Sequence, residues 1–126
     1  MTVDISPLAP EGRLIVDSYG PGRFKISGKT HLGSLLLSLD SVDPWRIQDP
    51  SALVADSLDP LMALEPPCEV VLLGCGARMT LMPSAIRAAW KERGLAVDIM
   101  ETGAACRTYN ILAAEDRRVA AALIAL

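Results

Sequence analysis

The sequence contains no pattern typical of a membrane span or of a metal site. No stretch approaches the roughly 18 consecutive apolar residues of a membrane helix. The first residues include Asp4 and Glu11 and have no basic region ahead of an apolar run, so a signal peptide is not expected. One histidine and three cysteines without a CxxC pair offer no zinc-finger or zincin spacing. We therefore expect no metal and no cofactor.

Aromatic residues and net charge are also low. Only 4% of the 126 residues are aromatic although 51% are hydrophobic, so the core must be mainly aliphatic. The net charge of −3 gives no electrostatic reason to expect nucleic acid or an anionic membrane as partner. The charge is uneven, because residues 1–69 carry five basic and ten acidic side chains, whereas residues 70–126 carry seven basic and five acidic ones.

The length and the cysteine content indicate one domain in a reducing compartment. A chain of this length buries one core and is too short for two ordinary domains, so residues 1–126 are predicted to form a single domain. Pro7 and Pro10 indicate an irregular lead-in over residues 1–13. An odd number of cysteines favours free thiols over a disulfide framework.

The N-terminal half has strand patterns separated by turns. Residues 14–19 and 24–27 flank a Gly-Pro-Gly turn and predict a β-hairpin. Residues 34–39, SLLLSL, are typical of a buried strand. Residues 40–69 are rich in carboxylates and are predicted to be irregular, with at most one short helix beginning near Asp59.

The C-terminal half predicts a βαβ unit. EVVLLG and LAVDIM are typical of strands, and PSAIRAAWKER between them is typical of a helix, so the two strands should be parallel. A second helix is predicted over residues 103–114, with Thr102 as its cap. The apolar tail VAAALIAL fits either a helix or a fully buried strand, and its periodicity does not distinguish the two.

The ends of these two strands define a candidate surface. Because parallel strands end at the same edge of a sheet, the GCGAR loop and the helix start at Thr102 should be neighbours. Arg78 and Arg107 would then form a cationic shelf lined by Cys75 and Cys106, suited to an anion or to an acidic segment of a partner. The candidate surface comprises Gly74, Cys75, Gly76, Arg78, Thr102, Cys106, Arg107 and Thr108.

Each feature of this surface also has a structural interpretation. Gly74 and Gly76 either let backbone amides approach a ligand or make a tight exit from a buried strand. Cys106 is either a thiol with a lowered pKa near a helix start or a small packing residue, and packing is favoured. No GxSxG motif or complete catalytic group occurs, so no catalytic residue is predicted and the chain is expected not to be an enzyme.

The order of the motifs resembles a known family. YGPGRFKISG, HLGSLLL, PCEVVLLGCG and DIMETGAACRTYNILAAEDRRVAAAL, within residues 14–125, resemble the family of mitochondrial respiratory complex I assembly factor three and its small bacterial relatives. The resemblance implies an α/β fold: a single three-layer domain with a mixed central sheet, helices on one side and a small β-hairpin on the other. It also implies that the tail is a strand. Cys75 and His31 stand where threonine and tyrosine are common in the family, so neither thiol nor imidazole chemistry is inferred.

The resemblance also carries expectations about function. It implies a non-enzymatic protein-binding module that assists assembly of respiratory complex I (NADH:ubiquinone oxidoreductase) or a related membrane-associated complex. The expected location is the bacterial cytoplasm, peripheral to the inner membrane through a partner and without membrane insertion. The alternative is a small anionic-ligand binder or an uncharacterised enzyme that uses the Gly74–Arg78 loop and the helix start at Thr102. Tyr109 and Asn110 are interpreted as structural residues that fix the neighbouring loop to the helix.

Overall fold

The computed structural model describes residues 2–5 and 12–126, which form two β-sheets and three α-helices. The strands are β1 (Val3–Asp4), β2 (Val16–Gly20), β3 (Arg23–Ile26), β4 (Lys29–Leu32), β5 (Leu35–Ser38), β6 (Val42–Pro44), β7 (Val70–Gly74), β8 (Val97–Met100) and β9 (Val119–Leu123). The helices are α1 (Asp59–Met62), α2 (Ser84–Glu92) and α3 (Thr102–Ala114), with a 3-10 turn at Pro50–Ala52.

The main sheet is mixed and has the strand order β6-β5-β9-β7-β8. The predicted parallel pairing of the two strands of the βαβ unit is confirmed, because β7 and β8 are parallel. The apolar tail forms β9, which runs parallel to β7 and antiparallel to β5. All five residues of β9 are buried. A strand covered on both faces has no polar side to present, which explains its uninterrupted apolar sequence.

The second sheet is small and antiparallel, with the order β1-β2-β3-β4. The predicted hairpin is present as β2 and β3, and the structure adds a strand at each side of it. Residues 1 and 6–11 of the predicted irregular lead-in lie outside the described residues. Within the remainder of that lead-in, Val3–Asp4 forms β1 and pairs with β2.

The α/β class and the mixed central sheet are confirmed, while the helices lie on both faces of that sheet rather than on one. Helix α3 packs with the small sheet on one face, around Tyr109 and Ala105. Helix α2 covers the other face through Trp90. Helix α2 connects β7 to β8, which lies on one side of β7 in the sheet. Helix α3 connects β8 to β9, which lies on the other side of β7, so the two connections run in opposite directions. Because such crossovers are right-handed, the two helices lie on opposite faces.

The acidic segment of residues 40–69 is more ordered than the sequence predicts. It contains the expected short helix, α1, but also strand β6 and a 3-10 turn. Strand β6 is an edge strand and ends at Pro44, a position where proline removes no ladder hydrogen bond. Apolar side chains placed between the carboxylates cover the α2 face of the main sheet: Trp45, Ile47, Leu53, Leu58 and Leu61.

Candidate functional site

The loop after β7 and the start of α3 are neighbours, held together by hydrogen bonds. The Thr102 amide donates to the Gly76 carbonyl at 2.9 Å, and the Gly76 amide donates to the Thr102 hydroxyl oxygen at 2.7 Å. The same hydroxyl donates to the Ile124 carbonyl at 2.7 Å. Thr102 is therefore not the predicted helix cap; Glu101 occupies that position, and the Thr102 side chain joins three chain segments.

The two glycines of this loop meet steric requirements of the backbone. A Cβ atom at Gly74 would lie 2.9 Å from both Cα and Oγ1 of Thr102, which is closer than packed atoms approach. Gly76 has a φ of +96°, a region that side chains disfavour. The amide of Cys75 donates to the Met100 carbonyl at 2.9 Å. The amides of Cys75 and Gly76 are thus already used, which favours the tight strand exit over an amide cradle for a ligand.

The two cysteines of the candidate surface are buried and lie in different layers. Cys75 packs on the α2 face of the main sheet, and Cys106 packs on the α3 face with no exposed surface. Burial raises the pKa of the Cys106 thiol to about 12, although the Arg107 charge partly offsets this effect. Burial also raises the pKa of Cys75. Neither thiol is activated, and the two do not line one shelf.

Arg78 and Arg107 also face different layers, so the predicted cationic shelf does not form. On α3, Arg107 donates through Nη1 to the Tyr19 hydroxyl at 2.8 Å, and its Nη2 lies 3.5 Å from Glu101 Oε1. Thr108 is partly buried on the same helix. Arg78 is exposed on the α2 side, in the loop that leads from β7 into α2. The two arginines are separated because α2 and α3 lie on opposite faces of the main sheet.

Tyr109 and Asn110 fix α3 to the small sheet and to β5 rather than to the glycine loop. The Asn110 side chain accepts from the Val16 amide at 2.9 Å and donates to the Val16 carbonyl at 2.8 Å. The buried Tyr109 hydroxyl lies 2.9 Å from the Leu14 carbonyl and 3.0 Å from the Ser38 carbonyl, so its single hydrogen serves two acceptors. Burial raises the pKa of Tyr109.

The sequence analysis did not identify Tyr19 and Gly103, which contact each other beside Arg107. A Cβ atom at Gly103 would lie 2.7 Å from the Tyr19 hydroxyl and 3.3 Å from Arg107 Nη1. Gly103 is therefore the position that lets Tyr19 reach over the first turn of α3. Glycine destabilises a helix because it loses more conformational freedom on folding than other residues. Its presence in the first turn of α3 was therefore the sequence signal for a close approach at this position.

The accessible part of the candidate surface is a groove on the α2 side, which we call the Arg78 groove. It has a volume of about 410 Å³, and its lining includes the apolar residues Leu53, Leu81 and Ile86 and the charged residues Asp49 and Arg78, with Cys75 at the end of β7. Leu81 is 83% exposed, and Met79 in the same loop is 53% exposed. Two large apolar side chains and one cation thus project from a loop whose base is fixed by Thr102.

Two negative findings apply to residues 2–5 and 12–126. No group of three or more histidine, cysteine, aspartate or glutamate side chains could hold a metal ion there. The helices of the same residues are all too short or too polar to cross a membrane.

Comparison with protein families and curated sequences finds clear relatives. A family model described as "Protein of unknown function (DUF498/DUF598)" matches residues 16–124. A Danio rerio protein named NADH dehydrogenase (ubiquinone) 1 alpha subcomplex assembly factor 3 is 36% identical over 110 residues, which are 87% of this chain and 63% of that protein. An uncharacterized protein of Rhodobacter capsulatus is 36% identical over 113 residues, 90% of this chain and 86% of that protein. The chain thus spans about three-fifths of the vertebrate relative's length.

A solved structure has the same fold. The crystal structure of a Bordetella parapertussis protein superposes with a TM-score of 0.83 at 31% identity, covering 93% of this chain and all of that one. The two proteins therefore share one fold over nearly the whole of this chain.

Proposed function

Since the chain belongs to the family of proteins of unknown function DUF498/DUF598, we propose that it is a non-enzymatic protein-binding module. Its role is to assist assembly of respiratory complex I or of a related membrane-associated complex. The name of the Danio rerio relative, an assembly factor of the NADH dehydrogenase alpha subcomplex, supports the choice of complex. The matched region covers 63% of that relative, so the assembly role is assigned to the shared region.

The observation that carries the proposal is the exposure of Leu81 and Met79 beside Arg78. Folded proteins seldom expose large apolar side chains in a cluster unless that surface binds something. Methionine and arginine, the residue types of Met79 and Arg78, are enriched at protein interfaces relative to the rest of the surface. We therefore place the partner contact at the Arg78 groove.

Three other residues of the candidate surface fix the base of the loop from which the side chains of the groove project. Gly74, Gly76 and Thr102 hold the base of the loop through the hydrogen bonds between β7 and α3. Arg107 braces α3 against Tyr19 on the other side of the main sheet. Because the contact is carried by a surface groove, the protein would reach a membrane complex through its partner and not by insertion.

The test is to purify the tagged protein from its own host under mild conditions and to identify by mass spectrometry everything that accompanies it. The informative variant is Leu81→Glu, which places a charge in the groove. Leu32→Glu is the matched control, because Leu32 is 79% exposed on strand β4 of the small sheet and is not among the residues that line the groove. Arg78→Ala tests the cation separately.

We expect respiratory-complex subunits or their assembly proteins to accompany the wild type and Leu32→Glu, and to be lost with Leu81→Glu. Arg78→Ala should weaken the association. A protein that purifies without respiratory partners and carries a stoichiometric metabolite would contradict the proposal. Such a result would favour the alternative of a small anionic-ligand binder.

A further inference from the structure

Strand β8 forms one edge of the main sheet. Among the residues that the structure describes, no strand pairs with its outer side. The Val71 amide donates to the Ala96 carbonyl at 2.8 Å, and the Cys75 amide donates to the Met100 carbonyl at 2.9 Å. Because consecutive strand residues direct their backbone groups to opposite sides, the N–H and C=O groups of Val97 and Ile99 point outward. This edge can therefore extend the hydrogen-bond ladder by another strand.

A groove runs along this edge between β8 and α2, which we call the β8 groove. Its volume is about 490 Å³, and its lining residues are Arg87, Trp90, Lys91, Leu95, Val97 and Ile99. Trp90 is 2% exposed, and among the described side chains its Nε1–H is a buried donor without an acceptor. Unpaired buried donors are rare in folded proteins, so the groove is lined by a side chain whose hydrogen-bonding capacity the fold itself leaves unsatisfied.

The two charged residues that line the β8 groove are both basic. Arg87 and Lys91 lie four residues apart on α2 and are the charged residues of its lining. Val97 and Ile99 pack toward α2, whereas Met100 packs on the opposite face of the sheet. By strand alternation, Asp98 belongs with Met100 on that opposite face. The groove therefore combines an apolar floor with a cationic wall.

We propose that β8 and its groove bind an extended segment of another protein, which pairs as an added strand. Its apolar side chains would cover Val97 and Ile99, and an acidic side chain would meet Arg87 and Lys91. This inference rests on the proposed protein-binding function and names the kind of segment bound. It uses a surface that shares no lining residue with the Arg78 groove.

Charge argues against a second copy of this chain as the occupant. Two β8 strands paired antiparallel about a twofold axis would place both α2 helices on the same face of the joined sheet. Arg87 and Lys91 of one copy would then approach the same residues of the other. Like charges at an interface suppress that pairing, whereas an acidic segment is complementary.

The test uses two capped synthetic peptides and the isotopically labelled protein. The first peptide, Thr-Val-Thr-Glu-Thr-Val-Thr, presents Val, Glu and Val on one face when extended. The second replaces the central Glu by Lys. Binding is followed by NMR at the backbone amides and at the Trp90 indole. The variant pair is Arg87→Glu with Lys91→Glu, and its control is Lys25→Glu with Lys29→Glu, two exposed lysines of the small sheet.

We expect the Glu peptide to perturb the Val97 and Ile99 amides and the Trp90 indole, and to bind roughly tenfold more tightly than the Lys peptide. The preference should reverse in Arg87→Glu/Lys91→Glu and persist in Lys25→Glu/Lys29→Glu. Absence of saturable binding, perturbation at another surface, or an unchanged preference in the α2 variant would overturn the inference.

The two proposals fail separately. Capture of respiratory subunits through Leu81, combined with no peptide binding at β8, would remove the β8 inference alone. Peptide binding at β8 without capture of respiratory subunits would contradict the proposed function alone.

Discussion

The hydroxyl of Thr102 accepts a hydrogen bond of 2.7 Å from the amide of Gly76, which fixes the start of α3 to the loop after β7. It also donates to the Ile124 carbonyl, so one side chain connects β7, α3 and the end of β9. The base of the Arg78 groove depends on this connection.

Replacing Thr102 by valine keeps the shape of the side chain and removes its hydroxyl. The Gly76 amide and the Ile124 carbonyl would then lack a partner in a fully buried site. We expect the free energy of unfolding to fall by about 1–3 kcal/mol, measured by urea denaturation. Thr108→Val on the partly buried side of the same helix is the control and should change stability much less. Equal effects of the two substitutions would contradict the structural role of Thr102.

Gly103→Ala should be destabilising because the new methyl group collides with the Tyr19 hydroxyl. The shortest contact, 2.7 Å to the hydroxyl, is removed in a Tyr19→Phe background, which leaves the ring carbon at 3.1 Å. A double-mutant cycle should therefore give a coupling free energy of roughly 0.5–3 kcal/mol, with alanine tolerated better beside phenylalanine. Additive effects of the two substitutions would show that Gly103 is required for another reason.

Thiol reactivity should follow burial. Cys68 is partly exposed, whereas Cys75 and Cys106 are buried. We expect a disulfide reagent such as DTNB to label Cys68 first in the native protein, and Cys106 only after unfolding, since the thiolate is the reactive form. Cys68→Ser should remove the fast phase. A fast phase that persists in this variant would indicate an accessible and activated thiol at Cys75 or Cys106.

The raised pKa of Cys106 makes stability depend on alkaline pH. Burial raises this pKa from 9.0 to about 12, so the folded state keeps a proton that the unfolded state releases. The stabilising contribution is complete below pH 9.0 and declines as pH rises toward about 12, by up to about 1.4 kcal/mol per pH unit. Burial of Tyr109 adds a decline of the same sign.

Urea denaturation at several alkaline pH values measures this dependence. In Cys106→Ala the free energy of unfolding should fall less steeply with pH than in the wild type. Cys68→Ala is the control and should retain most of the wild-type slope. An unchanged slope in Cys106→Ala would mean that the thiol is hydrated or ionised in the folded protein.

The C-terminal elements were predictable because each has a local pattern. The branched apolar run of β7 and the helical spacing of α2 each determine their own structure. Strand β9 is different, because its alanine-rich sequence fits a helix equally well. It forms a strand because of its central position in the sheet, which the local sequence does not reveal. Residues 40–69 carry seven carboxylates against one basic residue and have no clear strand or helix period, and the burial of Trp45 and Leu58 depends on a sheet built by later residues.

The candidate surface was predicted less well than the fold. The proximity of Gly76 and Thr102 could be predicted, because each residue follows one of two parallel strands and such strands end at the same edge of the sheet. The separation of Arg78 from Arg107 depends on the faces to which α2 and α3 are assigned, and this requires the order of β8, β7 and β9. The partner of Asn110 is Val16, 94 positions away, and no local pattern predicts such a contact.

We propose that the Arg78 groove binds a protein partner in the cell, and this can be tested directly. The most direct measurement is photo-crosslinking in the native host with p-benzoylphenylalanine at position 81 or, as a control, at position 32. Both positions are highly exposed, at 83% and 79%. We predict crosslinks from position 81 to a respiratory-complex subunit or assembly protein, and none to that partner from position 32. The absence of a protein crosslink at position 81, or the same partner from both positions, would contradict it.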